Sequence, residues 1–442
     1  MSPARVSGLI SAGGPATRRA GWGVADQALS SLTNFGLAVV LARGLTAEGF
    51  GAASITFAVY VLVLNVSRSL TSEPLTVRHS RQDRTEWAGP AAAALGAELV
   101  IGLITAAGLL VVALWVGGPS GGALAALAIT MPGLLLQDGW RFAFFATGRP
   151  RAAFMNDLLW LVFMILTLAV ALAGGSPEPW PYVLAWGLAG AMAGIAGIAQ
   201  ARLLPAPRRT VAWFRTNRDL ATRYAAESIV LAGSSQLRLV IVGVVGGLAM
   251  AGALRAGQVI MNALNPLSYG LQLTAVPEAV AIARRDRGRL TRYVARLAIG
   301  LGAVSLLWGV AVWLIPSGLG QALFGATWDE AHSTIPGQTI VVVASGLSAG
   351  AIVGLRALAA AGYSLRARIL SSIIGLVAAT LGAMTGDVAL CAIAIGVAIA
   401  IGTIIWWASY VLARRRPGSP QASATALADE IRLEADGVPA ET

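Results

Sequence analysis

The sequence predicts an all-α integral membrane protein in which twelve transmembrane helices form two parallel six-helix lobes. The first observation is composition: 56% of the 442 residues are hydrophobic and 12% are charged, whereas soluble domains carry about 25% charged residues. The second is that the apolar residues form runs of about 20 or more, long enough to cross roughly 30 Å of hydrocarbon. The third is a repeat that relates the two halves of the chain.

Twelve apolar runs can be placed between polar or glycine-containing loops. The predicted spans are residues 21–43, 50–72, 88–115, 122–146, 152–173, 181–201, 222–245, 252–282, 293–315, 334–361, 365–384 and 388–412. They define a cytoplasmic N-terminal segment (1–20), an N-lobe with helices 1–6 (21–203), a cytoplasmic linker (204–219), a C-lobe with helices 7–12 (220–412) and a cytoplasmic, disordered tail (413–442).

Arginine is distributed unequally between the two faces. Every one of the 32 basic residues is arginine, and none lies in the loops of one face, which are residues 44–49, 116–121, 174–180, 246–251, 316–333 and 385–387. By the positive-inside rule, the arginine-rich face is cytoplasmic and carries both termini. The net charge of +11 therefore reflects topology and attraction to anionic lipid head groups, and we expect no nucleic-acid partner.

An internal repeat aligns residues 44–74 with residues 247–277 without a gap. At a constant offset of 203 the matches are Gly44/Gly247, Leu45/Leu248, Gly49/Gly252, Ala53/Ala256, Leu64/Leu267, Leu70/Leu273, Thr71/Thr274 and Pro74/Pro277. Six spans return the chain to the same side of the membrane, so the halves are parallel repeats. Transporters with such repeats bind substrate between the lobes and alternate access by rocking them.

Three stretches resemble a known superfamily. SSLTNFGLAVVLARGLTAEGFGAASITFAVYVL resembles the first two helices of polysaccharide flippases in the multidrug/oligosaccharidyl-lipid/polysaccharide (MOP) exporter superfamily, including a turn of the form A-R-x-L-x-x-x-x-F/Y-G. VGVVGGLAMAGALRAGQVI resembles the turn that opens the second lobe, and QDGWRFAFFATGRPRAAFMNDLLW resembles the span 4–5 connection of bacterial members. The resemblance covers about residues 20–412 and implies two six-helix lobes that form a V around a central cavity.

The resemblance also implies a function. Such a flippase moves a polyprenyl-pyrophosphate-linked saccharide from the cytoplasmic to the outer leaflet for cell-surface polysaccharide biosynthesis, driven by an ion gradient or the membrane potential. The implied location is the bacterial cytoplasmic membrane. The implied partners are the lipid-linked saccharide, membrane lipids and proteins of polysaccharide assembly.

Arginines within the spans are the candidate substrate-binding residues. Arg238 falls near the middle of span 7, Arg255 enters span 8 from the outer side, and neither has an acid within one turn in sequence. Guanidinium donors in a hydrated cavity would lower the cost of moving a pyrophosphate through hydrocarbon. The predicted cavity arginines are Arg238, Arg255, Arg68 and Arg356. The alternative is that they form permanent ion pairs that orient helices.

Acidic residues lie toward the predicted cytoplasmic ends of the spans. Acid–base pairs there would hold the helix ends together and break as the cavity opens inward; the predicted inner-gate residues are Asp138, Arg141, Asp157, Glu73 and Glu278. Asp138 and Arg141 are spaced i, i+3, so a local structural pair is the alternative. Proton or cation coupling needs an intramembrane acid, and the candidates are Asp26, Glu98 and Glu227, each of which a stabilising pair would explain equally well.

Other functional classes fit less well. The outer loops are short, and His79 and His332 lie on opposite faces, so we predict no metal site, no cofactor and no enzymatic activity. The major facilitator class shares the 6+6 plan, but its glycine-and-acid loop motif between spans 2 and 3 is missing from EPLTVRHSRQDRTEW in this sequence. A cation-coupled multidrug exporter of the same superfamily is the main alternative, and a non-transporting scaffold stays open. Trp328, in the longest outer loop, is a candidate for stacking on a sugar.

Overall fold

The computed structural model describes residues 15–79, 84–231, 233–264, 271, 275–276, 278–283, 285–325, 328–358 and 360–415. The helices of the first half, in chain order, are α1 (Pro15–Gly44), α2 (Ala47–Leu70), α3 (Ser72–His79), α4 (Arg84–Val116), α5 (Gly118–Ala146), α6 (Pro150–Ala173), α7 (Trp180–Ala201) and α8 (Thr210–Leu231). Those of the second half are α9 (Gly233–Val245), α10 (Leu248–Met261), α11 (Arg287–Trp313), α12 (Ser317–Phe324), α13 (Trp328–Ala357), α14 (Ala361–Met384) and α15 (Val388–Arg415).

The helices agree with the predicted spans. In the described part of the chain, nine helical segments are long and apolar enough to cross a membrane, with α2 and α3 counted as one. The predicted spans 1 and 7 fall on α1 and on α8 with α9. The first part of span 8 falls on α10, and residues 265–270, 272–274 and 277 of that span lie outside the described residues. The twelve-helix, two-lobe membrane fold is therefore confirmed.

Local sequence explains where several helices begin. Thr46 precedes α2, and its side chain accepts a hydrogen bond from the backbone N–H of Gly49 at 3.1 Å. Asp286 caps α11 in the same way, since its Oδ1 accepts from the N–H groups of Gly288 and Arg289 at 2.7 and 3.2 Å. Such side chains satisfy backbone donors that the first helical turn leaves unpaired.

Helix pairs of the N-lobe recur in the C-lobe in the same chain order. α4 packs on α5, α5 on α7 and α6 on α7, as α11 packs on α13, α13 on α15 and α14 on α15. Both central contacts use glycine: a Cβ at Gly194 would lie 2.6 Å from the carbonyl oxygen of Gly133, and one at Gly396 would lie 2.7 Å from that of Gly337. Small residues allow this close approach of membrane helices, and their matching positions support the parallel repeat.

The two lobes touch where α2 and α10 begin. A Cβ at Gly252 would lie 2.7 Å from the carbonyl oxygen of Ala47 and 3.0 Å from the backbone nitrogen of Gly51, and Gly51 in turn lies against the carbonyl oxygen of Leu248. Beside this crossing, α12 packs on α1. All these residues lie at the end of the bundle whose connecting loops contain no arginine, here called the arginine-free end, so the lobes are in contact at that end.

The predicted linker, residues 204–219, is not a free connection. Residues 210–219 belong to α8, and Trp213 is only 4% exposed because it packs into an apolar cluster of the N-lobe. Its Nε1 donates to the carbonyl oxygen of Leu70 at 3.1 Å, and Arg78 donates to both carboxylate oxygens of Asp219 at 2.7 and 2.8 Å. The apolar side chains of the segment thus attach it to the N-lobe.

Three other predictions concern the chain ends and an outer loop. The N-terminal segment up to residue 14 and the tail beyond residue 415 lie outside the described residues. Residues 15–20 and 413–415 extend the first and last helices. Trp328 is 2% exposed and its ring lies 5.3 Å from that of His332, so the predicted stacking on a sugar is wrong for this conformation: the indole is covered by protein.

Candidate functional site

A cavity of about 640 Å³ lies mainly within the N-lobe. Helices α1, α2, α5, α6 and α7 form most of its wall, and α10 closes the side that faces the C-lobe through Arg255 and Val259. A ligand in this cavity would therefore touch both lobes. Relative movement of the lobes would therefore change the surroundings of that ligand.

One wall of the cavity is aromatic. The ring of Trp186 meets Phe57 and Tyr60 edge-on, with centroids 4.8 and 4.9 Å apart, and lies 5.7 Å from Trp160. Edge-to-face pairs of this kind add to the stability gained from burying the rings. The wall offers a rigid, apolar surface to a ligand.

A bidentate ion pair joins α2 to α5 at the cavity surface. Nε of Arg68 donates to Oδ2 of Asp138 at 2.7 Å, and Nη2 donates to Oδ1 at 2.5 Å. The guanidinium is a quarter exposed, whereas Asp138 is almost fully buried. Both oxygens of the carboxylate are satisfied, so this pair is neutral and geometrically fixed.

A second network surrounds Arg141. The Nε and Nη2 atoms of Arg141 donate to Oδ2 of Asp26 on α1 at 2.9 and 2.5 Å, and Nε also lies 3.5 Å from Oδ2 of Asp157 on α6. Gln137 donates to Oδ1 of Asp157 at 2.8 Å and to Asn156 at 3.2 Å. One guanidinium thus connects α1, α5 and α6. Within the described part of the structure, Oδ1 of the buried Asp26 has no hydrogen-bond partner.

The charges of the two networks do not balance. Three carboxylates face two guanidinium groups, so the N-lobe side of the cavity carries one excess negative charge if all are ionised. Such a charge in a membrane protein is normally compensated by a bound proton, a cation or a further partner. Across the cavity, the half-buried Arg255 has no hydrogen-bond or ion-pair partner among the described residues.

The structure brings together part of the predicted site. Residues that line the cavity are Arg68, Arg141, Arg255, Asp138 and Asp157, and Asp26 joins them through Arg141. Two predicted cavity arginines lie elsewhere: Arg238 packs from α9 against Gly375 of α14, and Arg356 is exposed near the end of α13.

Several of the predicted acidic residues also lie apart from the cavity. Glu73 lies on α3 outside the cavity lining, and Glu278 accepts from the hydroxyl of Tyr293 at 3.4 Å. Glu98 is buried away from the cavity, and the side chain of Glu227 lies outside the described part of the structure.

The local i, i+3 pair expected between Asp138 and Arg141 is wrong. Asp138 bonds instead to Arg68 of α2, and Arg141 turns toward α1 and α6, because each finds a better-placed partner on a neighbouring helix. Sequence reasoning also missed Gln137 and Asn156. Each directly precedes a predicted charged residue, and the pairs QD and ND within apolar runs are a signal that could have identified them.

No protein-family model matches the chain, and no curated protein matches it in sequence. Among solved structures it is similar to the inward-facing conformation of a multidrug resistance MATE family transporter of the MOP superfamily, with 12% identity over 87% of this chain and 93% of that one and a TM-score of 0.69. It is also similar to the outward-facing conformation of such a transporter, with 12% identity over 88% of this chain and 92% of that one and a TM-score of 0.58.

A third structure is the lipid II flippase MurJ in an inward closed conformation, at 12% identity over 89% of each chain and a TM-score of 0.63. At this level of identity the similarity establishes the fold. It extends over both lobes, whose matching helix pairs and lobe-bridging cavity were described above. The chain therefore has the fold of the transporters of the MOP superfamily.

Proposed function

We propose that this protein moves a lipid-linked saccharide with an anionic pyrophosphate from the cytoplasmic to the outer leaflet by alternating access. The observation that carries the proposal is Arg255, which lines a cavity shared by both lobes and has no hydrogen-bond or ion-pair partner among the described residues. A free guanidinium is suited to a phosphate, because its planar donors match two phosphate oxygens. The resemblance of the sequence to polysaccharide flippases supports the same substrate class.

The size of the cavity supports binding of the head group alone. Its volume of about 640 Å³ lies within the range of small-molecule sites, roughly 300–1,000 Å³. A pyrophosphate with its first sugar fits this range, and the polyprenyl chain would stay in the lipid. In this arrangement Arg255 contacts the phosphate, and the aromatic wall around Trp186 contacts the sugar through its ring faces.

The contact between the lobes supports an inward-facing state. The lobes touch where α2 and α10 begin, at the arginine-free end, which the positive-inside rule places outside the cytoplasm. The higher TM-score with an inward-facing than with an outward-facing relative, 0.69 against 0.58, agrees with this assignment. Substrate would then enter from the cytoplasmic leaflet.

A cation-coupled multidrug exporter is the second candidate. The observation that favours it is the excess carboxylate on the N-lobe wall, where Asp157 and Asp138 lie near aromatic rings. Aromatic faces and carboxylates attract organic cations. The two candidates differ in the sign of the charge on the substrate, so one experiment separates them.

The experiment uses protein in proteoliposomes with either a fluorescent polyprenyl-pyrophosphate sugar or a cationic dye. We expect the lipid to be translocated, and Arg255→Ala to slow it by about tenfold or more, since a hydrogen bond to a charged group contributes about 1.5–3 kcal/mol. Arg366→Ala, which removes an exposed arginine of α14, is the matched control and should change nothing. Transport of the dye alone, unaffected by Arg255→Ala, would establish the exporter instead.

A further inference from the structure

Glu98 is a buried carboxyl group that the cavity does not use. It lies on α4, is 2% exposed, and packs against the junction of α2 with α3 and against α5. At the junction, Thr71 ends α2 and Ser72 begins α3. The helix therefore breaks beside this carboxyl group.

The hydrogen-bond partners of Glu98 are hydroxyl groups. Oε1 is 2.7 Å from the hydroxyl oxygens of both Thr71 and Ser72, each of which can donate to it. The Thr71 hydroxyl also lies 2.6 Å from the carbonyl oxygen of Ser67, and it has only one hydrogen to donate. A hydroxyl can donate to a carboxylate or accept from a carboxylic acid, so these partners fit both protonation states.

The other oxygen of Glu98 has no hydrogen-bond partner among the residues that the structure describes. Oε2 is buried without a hydrogen bond and lies directly on Gly139 of α5, where a Cβ would overlap it and approach Cδ to 2.6 Å. This packing leaves no space beside Oε2 for a metal ion with its ligands. An ionised carboxylate with an unsolvated oxygen in hydrocarbon is strongly disfavoured, whereas a protonated one is compatible with the site.

Charged groups near Glu98 do not compensate it. On α5, Asp138 precedes the contacting glycine, and its carboxylate oxygens accept hydrogen bonds from Nε and Nη2 of Arg68 on α2 in a bidentate pair. The arginine that approaches α4 from residues 207–209 is Arg209, near Gly89 at the start of the helix. Among the described residues no guanidinium forms an ion pair with Glu98.

We propose that Glu98 is a proton-binding site of this protein, separate from the cavity and located at the break between α2 and α3. Protonation turns the Thr71 hydroxyl from Glu98 to the carbonyl oxygen of Ser67, while the acid donates to Ser72. Deprotonation reverses both bonds. Because Arg68 lies one turn before Thr71 on α2, the proton acts on the same helix end that holds Asp138 at the cavity.

This inference goes beyond the proposed function, since proton binding at Glu98 holds whichever substrate is moved. The experiment is an infrared pH titration of the full chain in lipid nanodiscs, with all glutamates labelled by carboxyl ¹³C so that their bands separate from those of aspartates. We expect a protonated-glutamate C=O band at neutral pH, at which exposed glutamates are ionised. Glu98→Gln should remove it.

Two further variants define the assignment. Glu86→Gln, which changes an exposed glutamate on the same helix, should leave the band intact. Ser72→Ala should shift its frequency, because the protonated carboxyl group then loses the hydroxyl that accepts its hydrogen bond. Absence of the band from the unaltered protein, or its persistence in Glu98→Gln, would overturn the proposal. The infrared titration is independent of the transport assay in proteoliposomes, so failure of this inference and failure of the proposed function can be distinguished.

Discussion

Replacing Gly252 by Ala should weaken the contact that closes the arginine-free end of the cavity. The new Cβ would lie 2.7 Å from the carbonyl oxygen of Ala47 and 3.0 Å from the backbone nitrogen of Gly51, and helical backbone atoms cannot rotate aside. Overpacking of this kind costs about 1–3 kcal/mol. Because the cost applies only while α2 and α10 touch, the equilibrium should shift roughly 5–150-fold toward opening at this end.

Thiol labelling can measure this shift. Leu41 lines the cavity and is 2% exposed, so a cysteine there reports access from outside. In a Cys391→Ser, Leu41→Cys background, we expect a membrane-impermeant thiol reagent on the outer side to react faster when Gly252→Ala is added. The control is Gly300→Ala, a glycine of α11 with no other atom within 4 Å of its Cβ position. Equal rates in the two variants would refute the reasoning.

Two further predictions concern ion pairs and helix caps. Asp138→Asn and Arg68→Met should each destabilise the protein, and the sum of the two effects should exceed the effect of the double variant. We expect this difference, the coupling free energy, to be about 1–3 kcal/mol in equilibrium unfolding, because each single change leaves its partner unpaired. Strict additivity would contradict this. Hydrogen bonds from the backbone N–H groups of Arg289 and Gly288 lower the pKa of Asp286. A lowered folded-state pKa contributes stability above the unfolded value and loses it as the pH falls through the folded one. The thermal unfolding temperatures of the unaltered protein and of Asp286→Ala should therefore differ at neutral pH and converge in acid. A difference that stays constant with pH would exclude stabilisation by this cap.

Much of the fold could be predicted because a lipid environment restricts the choice. Apolar runs of about 20 residues must be helices in a membrane, since every backbone polar group has to be satisfied within the segment. The offset of 203 residues then predicted the two lobes, and the glycine contact Gly133/Gly194 recurs as Gly337/Gly396 at the similar offsets of 204 and 202 residues. These features depend on local pattern and length, which a single sequence contains.

The pairing of charges could not be predicted in the same way. Arg141 bonds to Asp26, which is more than a hundred residues away in the chain, and which side chains meet depends on how each helix is rotated about its axis. Spacing within one helix favoured Asp138 as the partner of Arg141, and tertiary packing overrode it. For the same reason, Arg238 was expected in the cavity but packs against α14.

The docking of the segment between the lobes could not be predicted from the sequence for a different reason. Two prolines and several arginines in residues 204–219 are typical of an exposed connection. The single buried indole of Trp213 outweighed that composition, because it fills an apolar cluster and donates to the backbone carbonyl of Leu70. Composition averages over a segment, whereas one large side chain can determine where the segment lies.

The docking of α8 also bears on how the chain is made. Once the chain has been synthesised as far as Leu231, it contains both Trp213 and the Leu70 carbonyl oxygen that accepts its hydrogen bond, and both Arg78 and Asp219 of the ion pair. The first lobe can therefore satisfy the carbonyl exposed by its own helix break before the second lobe is synthesised. As a packing unit, the first lobe therefore extends beyond the six-span repeat to Asp219, just before the seventh span at residues 222–245.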